Sequence, residues 1–200
     1  MNSQIKTIIF VGRSGSGKGT QIDLLKQFIT EKKGQQIKSV VMGDIFRGFF
    51  SEEGYIQEVA KDLSVRQGKF QPDFLTDALF VSNVIKNADK DSVMFFDGYP
   101  RNAHQLGLIK ELLEYLGRKD PLFINLEVAR QSVKERMLLR GRGDDHEDAI
   151  ENRLDEYDKF VSPMIENAKA DVYFKYIEIN GEGSVQGIHN NIIETLGLNQ

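Results

Sequence analysis

The feature that most restricts the fold is Gly12-Arg13-Ser14-Gly15-Ser16-Gly17-Lys18-Gly19-Thr20, which follows directly on an apolar, β-branched stretch at residues 5–11. That stretch reads as a buried strand stopped by Gly12. A helical pattern begins at about Gly17, places Ile22, Leu25, Phe28 and Ile29 on one face, and ends near Lys33-Gly34. A G-x-x-x-x-G-K run between strand and helix is the arrangement in which backbone N–H groups turn inward around a phosphate, helped by the positive end of the helix. Lys18 then serves as a point charge on the terminal phosphates. A Gly-rich turn with a solvated lysine has the same composition, but the strand before and the helix after separate the two readings. The hydroxyl comes one residue late, at Thr20 after Gly19. A direct Ser/Thr ligand to Mg²⁺ is therefore missing or displaced, and the metal is expected to be held mainly by phosphate oxygens and water, with Asp97 in its outer shell.

The rest of the chain alternates in the same manner. Strand patterns recur at residues 37–42, at 92–96 ending on Asp97, at 122–126 after Pro121, and at 172–179 before Asn180-Gly181. Helical spacing runs through 105–116 and through 147–169, where Pro163 is expected to kink or divide the helix. This alternation predicts an α/β fold: five parallel strands with helices on both faces, and a ligand at the carboxyl ends of the strands. Two segments fall outside the alternation, 43–73 and the polar RGRGDDH run at 140–146. Both are expected to be small mobile lobes on a core of 1–42, 74–139 and 147–200 within one domain. With 26 basic and 30 acidic residues the net charge is −4, which argues against general nucleic-acid binding. There is no cysteine for a disulfide, a thiolate nucleophile or a Cys-ligated metal. No apolar run reaches the roughly 20 residues of a membrane span, and the polar residues 1–6 carry no secretory pattern, so a cytoplasmic protein is expected.

An acidic protein that handles phosphates must gather its cations locally. Asp97-Gly98-Tyr99-Pro100-Arg101 follows the third strand, where a carboxylate can orient metal-bound water and a tight turn can aim Arg101 across the strand ends. Arg136 and Arg140 share one helix face despite mutual repulsion, with Arg142 and Arg153 nearby; a solvated face tempered by Glu135, Asp144 and Asp145 is the plainer alternative. His104, His146 and His189 are scattered and read as surface residues.

Taken together, these motifs resemble those of the adenylate kinases, in the short-lid form, over nearly the whole chain. The matching segments are GRSGSGKGTQ at 12–21, GDIFR at 43–47, GKFQPD at 68–73, DGYPR with Gln105, ERMLLRGRGDD at 135–145, ENRL at 151–154 and INGEGSV at 179–185. The resemblance implies a P-loop NTPase fold and phosphoryl transfer from Mg-ATP to AMP, giving two ADP, by a monomer. Gly15, Ser16, Gly17, Lys18, Gly19 and Thr20 would hold the ATP phosphates, with Arg136 on the adenine and Gly183 beside it. Met42, Arg47, Gln71, Gly98, Arg101 and Gln105 would form the AMP site, opened by Asp44. Arg140, Arg142 and Arg153 would close around the transferring group, with Arg142 and Arg153 also reaching AMP. The chain departs from the family in three places. Arg13 replaces a proline common there and should add a cation at the mouth, Met42 replaces a threonine near the acceptor base, and the lid is several residues shorter. Asn102 is similar to the uridylate/cytidylate kinases, so UMP or CMP is the alternative acceptor. A P-loop hydrolase and an inactive nucleotide-binding protein are the readings from other classes.

Overall fold

The structure, a computed structural model, describes residues 5–143 and 145–199; Asp144, counted among the carboxylates of the arginine cluster, lies outside them. Five strands form one parallel sheet: β1 (Thr7–Val11), β2 (Ile37–Val41), β3 (Val93–Asp97), β4 (Leu122–Glu127) and β5 (Lys175–Asn180), in the order β2-β3-β1-β4-β5. β1 lies at the centre, with Ile9 opposite Phe96 of β3 and Phe123 of β4. Alternation of side chains about each strand divides the core into two layers. Ile8, Phe10, Phe95 and Ile124 pack on α1 (Lys18–Lys33) and α9 (Val185–Thr195). Ile9, Val11, Phe96 and Phe123 face α4 (Asp73–Asn87), α5 (Ala103–Tyr115) and α8 (Ser162–Ala170).

The predicted long helix at 147–169 is α7 (Glu147–Glu156), a π-helical turn (Tyr157–Val161) and then α8. Pro163 sits in the first turn of α8, which follows the π-helical turn without a break, so the irregularity falls just where the proline removes a backbone N–H from the helix. The irregular turn lies just before it and carries Tyr157 and Asp158 toward the sheet edge. The fifth strand starts later than its apolar pattern implies. Asp171 turns the chain by accepting from Tyr173 N–H at 2.9 Å, and Val172 is fully exposed, so pairing begins at Lys175.

The 43–73 excursion contains α2 (Met42–Ser51), α3 (Tyr55–Lys61) and a second π-helical turn (Asp62–Arg66). Its returning arm is fastened to α7. Asn152 Nδ2 donates to Gln67 O at 2.9 Å, Phe70 N–H to Glu156 at 3.3 Å, and His146 Nε2 lies 3.2 Å from Val65 O. Gly68 makes this approach possible: a Cβ there would sit 2.2 Å from Ala149 O, and its φ of +64° suits glycine. The remaining helix, α6 (Arg130–Arg140), joins α7 through Val133, Met137, Ile150 and Leu154. No helix among the described residues is long and apolar enough to cross a membrane.

Candidate active site

Because all five strands run the same way, their carboxyl ends deliver Gly12, Asp97 and Val128 to one edge. A cleft of about 660 Å³ opens there, lined by the glycine-rich loop, Lys18, Asp97, Arg101, Arg136, Arg140, Arg142 and Arg153. The sequence-predicted cations, which span more than half the chain, are thus brought together.

At the donor end, α1 starts at Gly17 with no side-chain cap and no acid in its first turn. Its first N–H groups are therefore open to an anion, and the helix dipole adds to them. Gly15 (φ +84°) presses the loop against α6; a Cβ would lie 2.9 Å from Val133 O. Lys18 folds back over the loop, donating to Gly12 O at 2.7 Å and Arg13 O at 2.9 Å. Burial lowers its pKa, partly countered by Asp97 and reinforced by Arg101 and Arg140. The ammonium is held by carbonyl dipoles rather than by a carboxylate, which leaves its charge available to a phosphate.

Arg13 behaves differently from its expected part as a cation at the mouth. Its guanidinium turns away from the loop onto Glu127 (2.7 Å), Val128 O (3.2 Å) and Asp158 (2.9 Å), over the Tyr157 ring. Two carboxylates already neutralise it.

At the acceptor end, Gly98 forms a turn whose carbonyl accepts from Arg101 Nε at 2.9 Å, and the Arg101 guanidinium lies 4.6 Å over the Phe70 ring. Burial lowers the Arg101 pKa, Asp97 opposes that and Arg153 adds to it. Arg47 pairs with Asp44 on the outer wall of the cleft, and both are largely exposed. Gln105 is 2% exposed and oriented at both ends: Oε1 accepts from Arg101 N–H and Nε2 donates to Asp73, each at 2.9 Å. Asn102 caps α5 through Gln105 N–H and donates its amide to the same Asp73 oxygen. Both groups of the Asn102 side chain are engaged in holding the turn, a structural account of an asparagine there that owes nothing to a pyrimidine. Gln71 is buried, its amide bound to Ala60 O and Ser64. Gln71, Gln105, Asp73 and Phe46 surround a pocket of only about 50 Å³. Met42 is fully buried in the core under this region, with its Cβ beneath Gly98.

Between the two ends lies a residue whose part in the site the sequence did not reveal. Asp145, its side chain fully buried, accepts from Arg140 Nε and a second Arg140 nitrogen at 2.8 Å each, from Arg153 at 3.3 Å and from Arg142 N–H at 3.3 Å. Burial alone would raise its pKa, but the hydrogen bonds and charge of Arg140, with help from Arg142 N–H and Arg153, lower it overall. One carboxylate thus joins the Arg140 and Arg153 guanidiniums and the Arg142 backbone. Arg136 closes the opposite wall, reaching Ser16 O (3.3 Å), Gly181 O (3.3 Å) and Glu182 (2.9 Å), with Gly183 exposed alongside. Asp97 and Thr20 are among the hard oxygen donors that line this cleft, a set that suits Mg²⁺ carrying most of its own water.

A family model described as adenylate kinase matches residues 10–172. The chain is similar to the adenylate kinase of Corynebacterium diphtheriae, 34% identical over 190 residues, covering 95% of this chain and 98% of that one. It is also similar to adenylate kinase 1 of a Nostoc species, 33% identical over 193 residues with 95% and 98% covered. The adenylate kinase of Leptospira biflexa is 30% identical over 196 residues, with 96% and 100% covered. With its glycine-rich loop, its clustered arginines and these full-length likenesses, the chain belongs to the adenylate kinase family.

Proposed function

We propose that the protein transfers the terminal phosphoryl group of Mg-ATP reversibly to AMP, giving two ADP. The observation that carries this reading is one cleft with two anion seats facing each other, the uncapped start of α1 with Lys18 and the turn bearing Arg101. ATP phosphates occupy the first seat and the AMP phosphate the second. An oxygen of the AMP phosphate attacks the γ-phosphorus, and the bond from that phosphorus to the β–γ bridging oxygen breaks. No side chain has to take a proton, because the attacking phosphate is already anionic near neutral pH. The work left to the protein is alignment and charge stabilisation. Lys18 and Arg101 hold the two ends, and Arg140, Arg142 and Arg153 surround the transferring group. Asp97 would hold Mg²⁺ through water, and the ion would supply charge neutralisation on the phosphates.

Segments 43–73 and 140–146 act as lobes that close over the substrates and keep out water, which would otherwise accept the phosphoryl group. The acceptor pocket is narrow, about 50 Å³, and adjoins the main cleft at Phe70 and Arg101, which line both. Gln105 is the base reader, since its second lone pair and second N–H can meet the complementary edge of adenine. A cytoplasmic monomer fits this function.

The test is an ADP-forming assay with Mg-ATP and, side by side, AMP, UMP, CMP, GMP or no acceptor. Rapid turnover with AMP alone is the expected result. Preference for UMP or CMP would transfer the base reading from Gln105 to Asn102, and hydrolysis without an acceptor would refute phosphotransfer.

A further inference from the structure

Arg13 lies inside the phosphate loop, yet its charge serves the protein. Its side chain is only 14% exposed, held between Glu127 at the end of β4 and Asp158 in the π-helical turn before α8. Its backbone carbonyl accepts from Lys18 Nζ at 2.9 Å and from Ser16 N–H at 3.1 Å. One residue therefore anchors the loop from outside and supports the donor-site lysine from inside. The anchor extends further. Asp158 also accepts from Arg130 of α6 at 2.7 Å, and Arg130 reaches Glu151 and Asp155 of α7 at 2.6 and 2.7 Å. α6 carries Arg136 and Arg140, and α7 carries Arg153.

We infer that Arg13 is a positioning residue for the donor site: through Asp158 and Glu127 it sets the phosphate loop, and with it Lys18, in register with the two helices that bear the arginines of the transfer step. This rests on the phosphotransfer reading. An ion-paired guanidinium that touches both the loop and its support acts on alignment, whereas a free cation at the mouth would act by attracting phosphate. The two roles predict opposite signs for one substitution. If Arg13 positions, Asp158→Ala weakens ATP binding, because the loop loses its anchor. If Arg13 were a substrate cation, the same change would release it and tighten ATP.

The experiment is a double-mutant cycle on Arg13→Ala and Asp158→Ala, reading ATP binding by calorimetry together with kcat and the KM for each nucleotide. Each single variant is expected to raise the ATP Kd about tenfold and to lower kcat, with the AMP KM little changed and the double variant no worse than either single. Arg13→Lys, whose single ammonium cannot span both carboxylates, should fall between wild type and Arg13→Ala. Tighter ATP binding in Asp158→Ala, or losses that multiply to about a hundredfold in the double variant, would overturn the inference. So would losses shared equally by ATP and AMP that track only a lowered Tm. Should Arg13→Ala fail to fold, the cycle run with Arg13→Lys and Asp158→Asn decides by the same signs. A wild-type protein that binds ATP but forms no ADP would refute the phosphotransfer reading, while the calorimetric arm still tests the coupling.

Discussion

Replacing Asp145 by asparagine isolates the charge that organises the arginine cluster, because the shape of the side chain is kept. The carboxylate accepts two 2.8 Å hydrogen bonds from Arg140 and one of 3.3 Å from Arg153. Removing one partner of a fully buried pair costs about 3–5 kcal/mol. Here the arginine side chains remain 28% and 13% exposed toward the cleft, so water takes over part of the lost solvation and about 1.5–3 kcal/mol is expected. At roughly 2–4 °C per kcal/mol for a chain of this size, Tm should fall by about 3–12 °C. The pH dependence has a definite sign. Because the folded-state pKa lies below the ordinary value of 3.8, the stabilisation is complete above that value and lost as pH falls toward the folded pKa. The Tm gap between wild type and Asp145→Asn should therefore be constant from about pH 6 to 8 and shrink below about pH 4. Thermal unfolding across that range is the assay. A gap that is absent at pH 7, or that widens on acidification, would refute the assignment of Asp145 as the paired centre of the cluster.

Lys18→Ala should lower kcat about 100- to 1000-fold, since it removes a charged donor from the transfer site. Its Tm should stay close to wild type, and near-normal ADP formation would disprove the donor-site assignment. Gln105→Ala strands Arg101 N–H and one Asp73 hydrogen bond and should cost about 1–3 kcal/mol in thermal stability. Its kinetic signature is lost discrimination among acceptor bases with little change in ATP affinity; equal losses for both nucleotides would remove Gln105 from the acceptor site. Gly68→Ala forces a Cβ against the backbone of Ala149 at a positive φ and should destabilise by about 3 kcal/mol or more. An unchanged Tm would mean that the arm and α7 are not in the contact described.

The parts of the site that could be read from the sequence are those specified locally. The glycine-rich loop and Lys18 lie within one short run, and the strand before it and the helix after it carry their own periodicities. Arg101 and Gln105 are set by a single turn and the helix after it. What could not be read depends on partners far along the chain. Arg13 is recognisable as a cation, but its neutralisation needs Glu127 and Asp158, 114 and 145 residues away, and neither differs in composition from an ordinary surface acid. Asp145 has a different difficulty: Arg140 and Arg153 lie only five and eight residues away, yet a carboxylate in a polar run reads as solvated until the chain turns it inward between them. Met42 illustrates a third limit. Its position beside the acceptor segment is legible, but the backbone turns its side chain down into the core rather than toward the pocket. The π-helical turn at Tyr157–Val161 leaves no periodic mark, since a single extra residue is absorbed between two regular helices.

The clip between the 65–70 arm and α7 has a consequence for the order of binding. A rotation of that arm has either to carry α7 with it or to break the bonds to Gln67, Phe70 and Val65. Where the bonds hold, α7 and its Arg153 move with the arm, and the acceptor side and the transfer-site cations share one hinge rather than two. Substrate occupancy at one seat then biases the geometry of the other. Linkage makes the bias mutual: whatever factor AMP lends to ATP affinity, ATP returns to AMP. In an initial-rate study this coupling shows as lines that converge away from the abscissa, a signature that two independently hinged flaps would not produce.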